Sequence, residues 1–242
     1  MSPSTVVDVV LNPAEIALLP QRDLSETTCV VFDVLRATSS MITAFAHGAA
    51  EIHPVRTIEE ALERKKQFPD AVLGGERNGD PIAGFDLGNS PLEYRDLAGR
   101  RIITTTTNGT LALRSCERAH RVLVGAILNI KAVAEELRRA DTPEIVIVCA
   151  GTFADFSLED TMGAGLLIEA LGGGTLTDAA YAALAVAGAY QNPLDALRRA
   201  RNGRALEAKG RGAEVEWCAQ QSRFNVVGSM EQAVIRPLPS RE

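Results

Sequence analysis

The stretch Val30–Ser40, VVFDVLRATSS, predicts the strand-turn-helix unit around which the rest of the chain is arranged. Its apolar start predicts a buried strand, and the small polar residues Thr38–Ser40 predict the opening of a helix. Asp33 and Arg36 lie between the two, at the turn from strand to helix. A carboxylate and a guanidinium held three residues apart at such a turn suit a site for a metal ion and an anion.

Strands and helices are predicted to alternate along most of the chain. Apolar or β-branched runs predict further strands at 6–11, 51–55, 71–74, 101–105, 122–125 and 144–149. Helical periodicity follows most of these runs, and the T-x-x-E spacing at Thr57 predicts a capped helix. This alternation predicts an α/β fold, a layered fold with a largely parallel or mixed central sheet covered by helices.

The C-terminal part has a different character. From about residue 175 the chain is alanine-rich and is predicted to be mainly helical, with Asn192-Pro193 starting one of the helices. Six basic residues of this part are interpreted as a solvated helix face: Arg198, Arg199, Arg201, Arg204, Lys209 and Arg211. No linker separates two halves, so residues 1–242 are interpreted as a single α/β domain.

Composition limits the possible partners. The formal net charge of −6 argues against a general nucleic-acid binder, because affinity for phosphate backbones requires an excess of basic residues. The N-terminus lacks the features of a signal peptide, and no apolar stretch is long enough to span a bilayer. We therefore expect a cytoplasmic protein that binds neither nucleic acid nor membrane.

Three predicted strands lead into unusually polar loops, which follow Phe32, Ile103 and Val148. In α/β sheets, ligands bind beyond the carboxyl ends of the strands. The second loop, TTTTNGT at 104–110, has the composition of a site that presents N–H groups to an anion. The alternative is an ordinary polar turn in which Thr107 or Asn108 caps the next helix.

Several carboxylates lie in these and neighbouring loops. Ser157-Leu158-Glu159-Asp160 is typical of a helix cap, but its two acids follow a strand as Asp33 does. Glu76 and Asp86 lie in a long glycine-rich segment, residues 74–91, which we interpret as an ordered active-site loop. Carboxylates of this kind are the oxygen ligands that Mg²⁺ prefers. For Arg36, anion binding competes with a simple salt bridge to Asp33.

The stretches DVLRATSS, GERNGDPIAGFDLGNSP, TTTTNGT and CAGTFADFSLEDTMGAG, in this order and spacing, resemble the 2-phosphosulfolactate phosphatase family. The likeness covers roughly residues 30 to 165 and is weaker beyond them. It implies Mg²⁺-dependent hydrolysis of 2-phosphosulfolactate, a small anionic phosphoester, to 3-sulfolactate and phosphate in coenzyme M biosynthesis. It also implies the α/β fold of that family and a homodimer.

The resemblance also implies roles for individual residues. Catalytic roles fall to Asp33, Arg36 and Asp160. The implied metal site consists of Asp33, Glu76, Asp86, Glu159 and Asp160. The implied substrate-binding residues are Arg36, Arg77, Asn89, Thr106, Thr107, Asn108, Gly109 and Thr110.

Two questions stay open at this point. Asp33 could hold the metal or act as a base toward water, or it could attack phosphorus itself, although Asp33-Val34-Leu35 lacks the second acid of a D-x-D motif. The loops could also bind a sulfonated or phosphorylated acid without turnover, or serve a different phosphoester. The number of carboxylates favours an enzyme, because a pure anion binder gains nothing from negative charge around its ligand.

Overall fold

The computed structural model describes residues 4–140 and 142–239, and within them eleven strands and ten α-helices follow one another. The strands are β1 (Val6–Val10), β2 (Thr27–Phe32), β3 (Glu51–Pro54), β4 (Val72–Arg77), β5 (Asp80–Pro81), β6 (Arg101–Thr105), β7 (Arg121–Gly125), β8 (Glu144–Cys149), β9 (Thr175–Leu176), β10 (Gly228–Glu231) and β11 (Val234–Pro237). The helices are α1 (Pro13–Ile16), α2 (Ala37–Ala46), α3 (Ile58–Gln67), α4 (Gly109–Ser115), α5 (Ile130–Ala140), α6 (Leu158–Leu171), α7 (Asp178–Gly188), α8 (Pro193–Arg199), α9 (Arg201–Ala208) and α10 (Gly212–Cys218). Short 3₁₀ helices lie at Leu19–Gln21, Pro91–Arg95 and Ile127–Asn129.

All eleven described strands join one mixed sheet in the order β5-β4-β6-β3-β11-β10-β7-β2-β8-β1-β9. The strands β7, β2, β8, β1 and β9 are parallel to one another, and so are β4, β6 and β3. The hairpin β10–β11 pairs antiparallel with both groups and joins them. The predicted layered α/β fold with a largely parallel or mixed sheet is confirmed.

Helices cover the sheet on both faces, as the alternation of side chains along β2 illustrates. Val30 and Phe32 face one apolar core together with residues of α5, α6 and α7. Cys29 and Val31 face a second core that includes residues of α2 and α4. A strand buried on both faces leaves no room for a charged side chain, so Asp33 comes only after the strand has ended.

We attribute the formation of the site to the twist that β-sheets have. Six strand-to-strand steps separate β4 from β2, which is roughly 29 Å in a flat sheet. Glu76 at the end of β4 and Asp33 just after β2 nevertheless line the same cavity. A twist of roughly 25° per step accumulates to roughly 150° over this distance. That rotation offsets the opposite directions of the two parallel groups, so their carboxyl ends meet.

Local sequence signals fixed most element ends. Thr57 caps α3 by accepting a hydrogen bond from the Glu60 amide, and Asn192 caps α8 in the same way through the Asp195 amide. The strand at 144–149 has the predicted bounds, and α6 starts directly after Ser157, at the position of the predicted cap. Within the described part of the chain, no helix is both long and apolar enough to cross a membrane.

Two hairpins differ from the prediction. The segment 74–91 is not irregular throughout, because β4 continues to Arg77 and turns at Asn78-Gly79 into β5. Both turn residues have positive φ, 55° and 83°, as a tight hairpin turn requires. The C-terminal region is helical through α10, as predicted, but it ends in the unpredicted hairpin β10–β11.

Candidate active site

A cavity of about 360 Å³ lies where the carboxyl ends of four strands converge. Asp33 follows β2, Glu76 is the next-to-last residue of β4, Thr107 follows β6, and Gly151 follows β8. The three polar loops predicted from the sequence thus meet at one place, together with the β4–β5 hairpin. The cavity is at the small end of the range of ligand sites, which suits a small metabolite.

Asp33 lies buried at the start of α2. Its Oδ1 accepts a hydrogen bond of 3.0 Å from the Ala37 amide, which satisfies one of the free donors of the helix. Its Oδ2 has no hydrogen-bond partner among the described residues, and Gly109 faces it so closely that a Cβ there would lie 2.5 Å away. Burial, assisted by the nearby charges of Glu76 and Glu159, raises the pKa of Asp33 to about 7. The result is a buried carboxyl group with one free oxygen at the cavity.

Glu76 is held by the loop that follows β6. The Thr107 amide donates to Oε1 at 2.7 Å, and the Gly79 amide donates to Oε2 at 2.6 Å. Thr106 and Thr110 bond each other, each amide donating to the other hydroxyl at 3.1 Å. The amides of these three threonines therefore serve contacts within the protein, and the loop positions an acid more than it offers free N–H groups to an anion.

Asp160 joins two of the converging loops. Its Oδ1 accepts from the Val34 amide at 2.8 Å and its Oδ2 accepts from the Gly151 amide at 3.0 Å. Burial, and then the charges of Asp33 and Glu159, raise the pKa of Asp160 well above its ordinary value. Asp160 is therefore placed behind the cavity wall, where it fixes the turns after β2 and β8.

Arg36 lines the cavity but does not form the salt bridge to Asp33 that the sequence left open. Its Nη1 donates to Glu214 of α10, and its Nη2 donates to the Gly79 carbonyl at 3.1 Å. Both charged side chains of the Arg36–Glu214 pair are buried. A cis peptide bond joins Leu35 to Arg36. Since Arg36 is anchored from behind, its guanidinium has a fixed position at the cavity.

The carboxylates at the cavity are candidate ligands for a divalent cation. Asp33 and Glu76 line the cavity, and Glu159 is close enough for its charge to raise the pKa of Asp33. No group of three His, Cys, Asp or Glu side chains among the described residues encloses a metal ion by itself. Mg²⁺ commonly binds through one or two carboxylates, with water and substrate oxygens completing its shell. Asp33, through its free Oδ2, and Glu76 fit that mode of binding.

Comparison with known proteins identifies the family. The family model described as 2-phosphosulpholactate phosphatase matches residues 15–233. The chain belongs to this family. It is 40% identical over 224 residues to a protein of Carboxydothermus hydrogenoformans, and the alignment covers 91% of each chain. It is 38% identical over 232 residues to a protein of Thermotoga maritima, covering 95% of this chain and 97% of that one. Both relatives carry the name "Probable 2-phosphosulfolactate phosphatase".

The four motifs that carried the resemblance thus point to the correct family, a family of phosphatases. Of the residues they implied, the structure brings six to the cavity wall: Asp33, Arg36, Glu76, Asn89, Thr107 and Asn108. Asn108 also bonds the neighbouring loop, since its Nδ2 donates to the carbonyls of Ala150 and Phe153, both at 2.9 Å. This contact holds the loop after β8 against the start of α4.

Other residues implied by the family motifs lie off the wall. The Asp86 carboxylate is exposed and accepts a hydrogen bond from the Leu73 amide at 2.8 Å, so it supports a loop rather than the metal position. Arg77 points toward β6 and donates to Thr105 Oγ1 at 2.7 Å. The remaining five pack behind the wall: Thr106, Gly109, Thr110, Glu159 and Asp160. Gly109 contributes space for Asp33, because any side chain there would collide with it.

The C-terminal helices supply cavity residues that the sequence analysis did not predict. Arg201 and Lys209, which we interpreted as part of a solvated helix face, line the cavity together with Asn202. Glu214, which received no role, is the partner of Arg36. No local signal could have found these residues, since Arg36 and Glu214 are 178 positions apart.

Proposed function

We propose that the protein hydrolyses 2-phosphosulfolactate to 3-sulfolactate and phosphate in a Mg²⁺-dependent reaction. The observation that carries this proposal is the free Oδ2 of buried Asp33 beside Glu76, in a cavity of a chain that belongs to the phosphatase family. The names of the relatives supply the substrate, and the carboxylates at the cavity support the metal. Mg²⁺, when bound, would neutralise charge on the phosphoryl group and favour attack by water.

Three residues of the chain have separate roles in the proposed reaction. Asp33 accepts a proton from the attacking water through Oδ2, the oxygen to which no donor of the described residues is bonded. Arg36, fixed by Glu214 and Gly79, donates to anionic oxygens of the substrate from the same side of the cavity. Glu76 would provide the carboxylate for the metal, because Oδ2 of Asp33 cannot hold the ion and take the proton of water at the same time.

A covalent route through Asp33 is the competing mechanism. It would require a second acid to protonate the leaving oxygen, which the D-x-D phosphatases place two residues after the nucleophile and which is Leu35 here. Leu35 lines the cavity and can neither give nor accept a proton. Isolation of the protein with phosphate on Asp33 after quenching of turnover would replace our mechanism with the covalent one.

The activity is tested by phosphate release from 2-phosphosulfolactate and from β-glycerophosphate, each with Mg²⁺ and with a chelator. We expect Mg²⁺-dependent release that is fastest with 2-phosphosulfolactate. If neither compound releases phosphate with Mg²⁺, the site is a binding site without turnover. If only β-glycerophosphate does, the protein is a phosphatase for another substrate.

From the sequence resemblance alone, we further propose that the enzyme serves coenzyme M biosynthesis as a cytoplasmic homodimer. Light scattering of the purified protein measures its mass in solution, and a value matching one chain would rule out the dimer.

A further inference from the structure

Helix α9 presents one continuous face to the cavity. Five of its residues and flanking positions line the cavity: Arg201, Asn202, Ala205, Leu206 and Lys209. Their spacing, i, i+1, i+4, i+5 and i+8, is that of a single helical face. The cavity therefore has one wall made of strand ends and carboxylates and a second wall made by α9, which carries a cation at each end.

The two cations of α9 are available to a ligand. Arg201 bonds Asp155 at 2.9 Å, and Lys209 bonds Asp80 at 2.7 Å. All four side chains of these pairs are more than one-third exposed. Exposed ion pairs contribute only about 0–1 kcal/mol, so an anionic ligand can displace the carboxylates at low cost. Arg36, in contrast, is buried and keeps its bonds to Glu214 and Gly79, and its remaining N–H groups are the ones that serve the substrate.

The position of α9 over the cavity is fixed by two contacts. Asn202 Nδ2 donates to Thr152 Oγ1 and to Glu159 Oε1, both at 2.8 Å. Gly203 packs so closely on α8 that a Cβ there would lie 1.7 Å from the Leu197 carbonyl oxygen. The helix is thereby tied to the loop after β8, and the backbone positions of Arg201 and Lys209 are about 12 Å apart along the helix axis.

We propose that this face of α9, from Arg201 to Lys209, selects the substrate by binding those of its anionic groups that are not hydrolysed. This inference rests on the proposed function, which places the phosphoryl group near Asp33 and Glu76. The other acid groups of the substrate need cations away from those carboxylates, because like charges repel strongly in a partly enclosed site. Arg201 suits a sulfonate or carboxylate, since its guanidinium can donate two parallel hydrogen bonds.

The arrangement around Arg201 supports this role. Its guanidinium lies over the ring of Phe153, 5.2 Å from the ring centre, and Phe153 also lines the cavity. Stacking on an aromatic ring limits the rotamers of a long side chain without using its hydrogen-bond donors. An arginine held in this way loses less conformational freedom when an anion binds.

The test compares substrates with and without additional acid groups. Arg201→Gln and Lys209→Gln, singly and together, are assayed on 2-phosphosulfolactate and on β-glycerophosphate, which carries no anionic group other than its phosphate. We expect the double variant to lose about 100-fold or more in kcat/KM on 2-phosphosulfolactate, mainly through KM, and less than about 3-fold on β-glycerophosphate. Arg204→Gln is the matched control, because Arg204 lies on α9 outside the cavity-lining face.

A binding measurement separates this inference from the proposed function. Calorimetric titration with 3-sulfolactate needs no turnover, and we expect the double variant to bind it at least about 30-fold more weakly than the wild type or Arg204→Gln. Equal losses on both substrates, or unchanged 3-sulfolactate binding in the double variant, would overturn the role of α9. If the wild type binds 3-sulfolactate through α9 but releases no phosphate from any ester, the proposed function fails and the role of α9 in ligand binding stands.

Discussion

Asp33 and Glu51 are both buried carboxylates next to strands of one sheet, but their surroundings differ completely. Glu51 of β3 accepts hydrogen bonds from three basic side chains, those of His53, Arg101 and Arg236. Although burial opposes it, these bonds lower the pKa of Glu51 to about 2. Asp33 forms no ion pair within the described residues, and burial and neighbouring acids raise its pKa to about 7.

The difference shows where charge serves the fold and where it serves a ligand. Glu51 ties β3 to β6 through Arg101 and to β11 through Arg236, so it helps to hold the C-terminal hairpin in the middle of the sheet. Asp33 links no strands through ion pairs among the described residues, and its charged form is unfavourable without a cation nearby. A destabilised carboxyl group at a cavity is typical of a site whose charge is completed by metal and substrate.

The largest effect is expected from Asp33→Asn. Asn preserves the shape and can still accept the hydrogen bond from the Ala37 amide, but it can neither take a proton nor neutralise a cation. We expect kcat for phosphate release to fall about 10³-fold or more. Asp86→Asn is the matched control and should retain activity within about 3-fold, because Asp86 lies outside the cavity. Similar activities of the two variants would remove Asp33 from the chemistry.

A smaller effect, on stability and not on activity, is expected from Glu51→Gln. The change leaves Arg101 and Arg236 without their carboxylate partner in the middle of the sheet. We expect a loss of about 2 kcal/mol in the free energy of unfolding, measured with urea, while kcat of the folded enzyme is unchanged. Glu63→Gln breaks an exposed pair with Lys66 and should cost less than about 0.5 kcal/mol. A lower kcat of the folded Glu51→Gln enzyme would contradict the assignment of Glu51 to stability and not to activity.

The sequence predicted those parts of the fold that local signals determine. The cap at Thr57 and the apolar run at 144–149 each determine an element through neighbours in the chain. The β4–β5 hairpin carried a clear signal, Asn78-Gly79, which the glycine-rich surroundings obscured. The β10–β11 hairpin had no such signal, because its turn uses Gln232 and Ala233 at positive φ, a conformation that non-glycine residues seldom adopt.

The residues of the candidate site also fall into those that local sequence signals indicate and those that depend on distant contacts. The sequence assigned Asp33, Arg36 and Asn108 to loops that follow predicted strands, and the structure has all three at the cavity wall. It could not show that Glu214 anchors Arg36 or that α9 closes the cavity, since these contacts depend on how helices far along the chain pack. The interpretation of residues 1–242 as one domain stays a prediction.

The comparison between Asp33 and Glu51 is tested most directly by the pH dependence of unfolding free energy in the presence of a chelator. The raised pKa of Asp33 means that the folded state keeps a proton that the unfolded chain loses above about pH 4, so stability falls as the pH rises through about 7. The lowered pKa of Glu51 means that its contribution is present above about pH 4.5 and is lost only as the pH falls toward 2.

Between about pH 4 and about pH 7, Asp33→Asn should therefore gain stability steadily relative to the wild type, and the gain should level off above about pH 7, because the variant removes a group whose ionisation opposes folding. Above about pH 7, where His53, the histidine partner of Glu51, is neutral, Glu51→Gln should lie below the wild type by a constant amount. An Asp33→Asn curve that runs parallel to the wild type, or a stability difference for Glu51→Gln that changes between about pH 7 and about pH 8, would contradict the account.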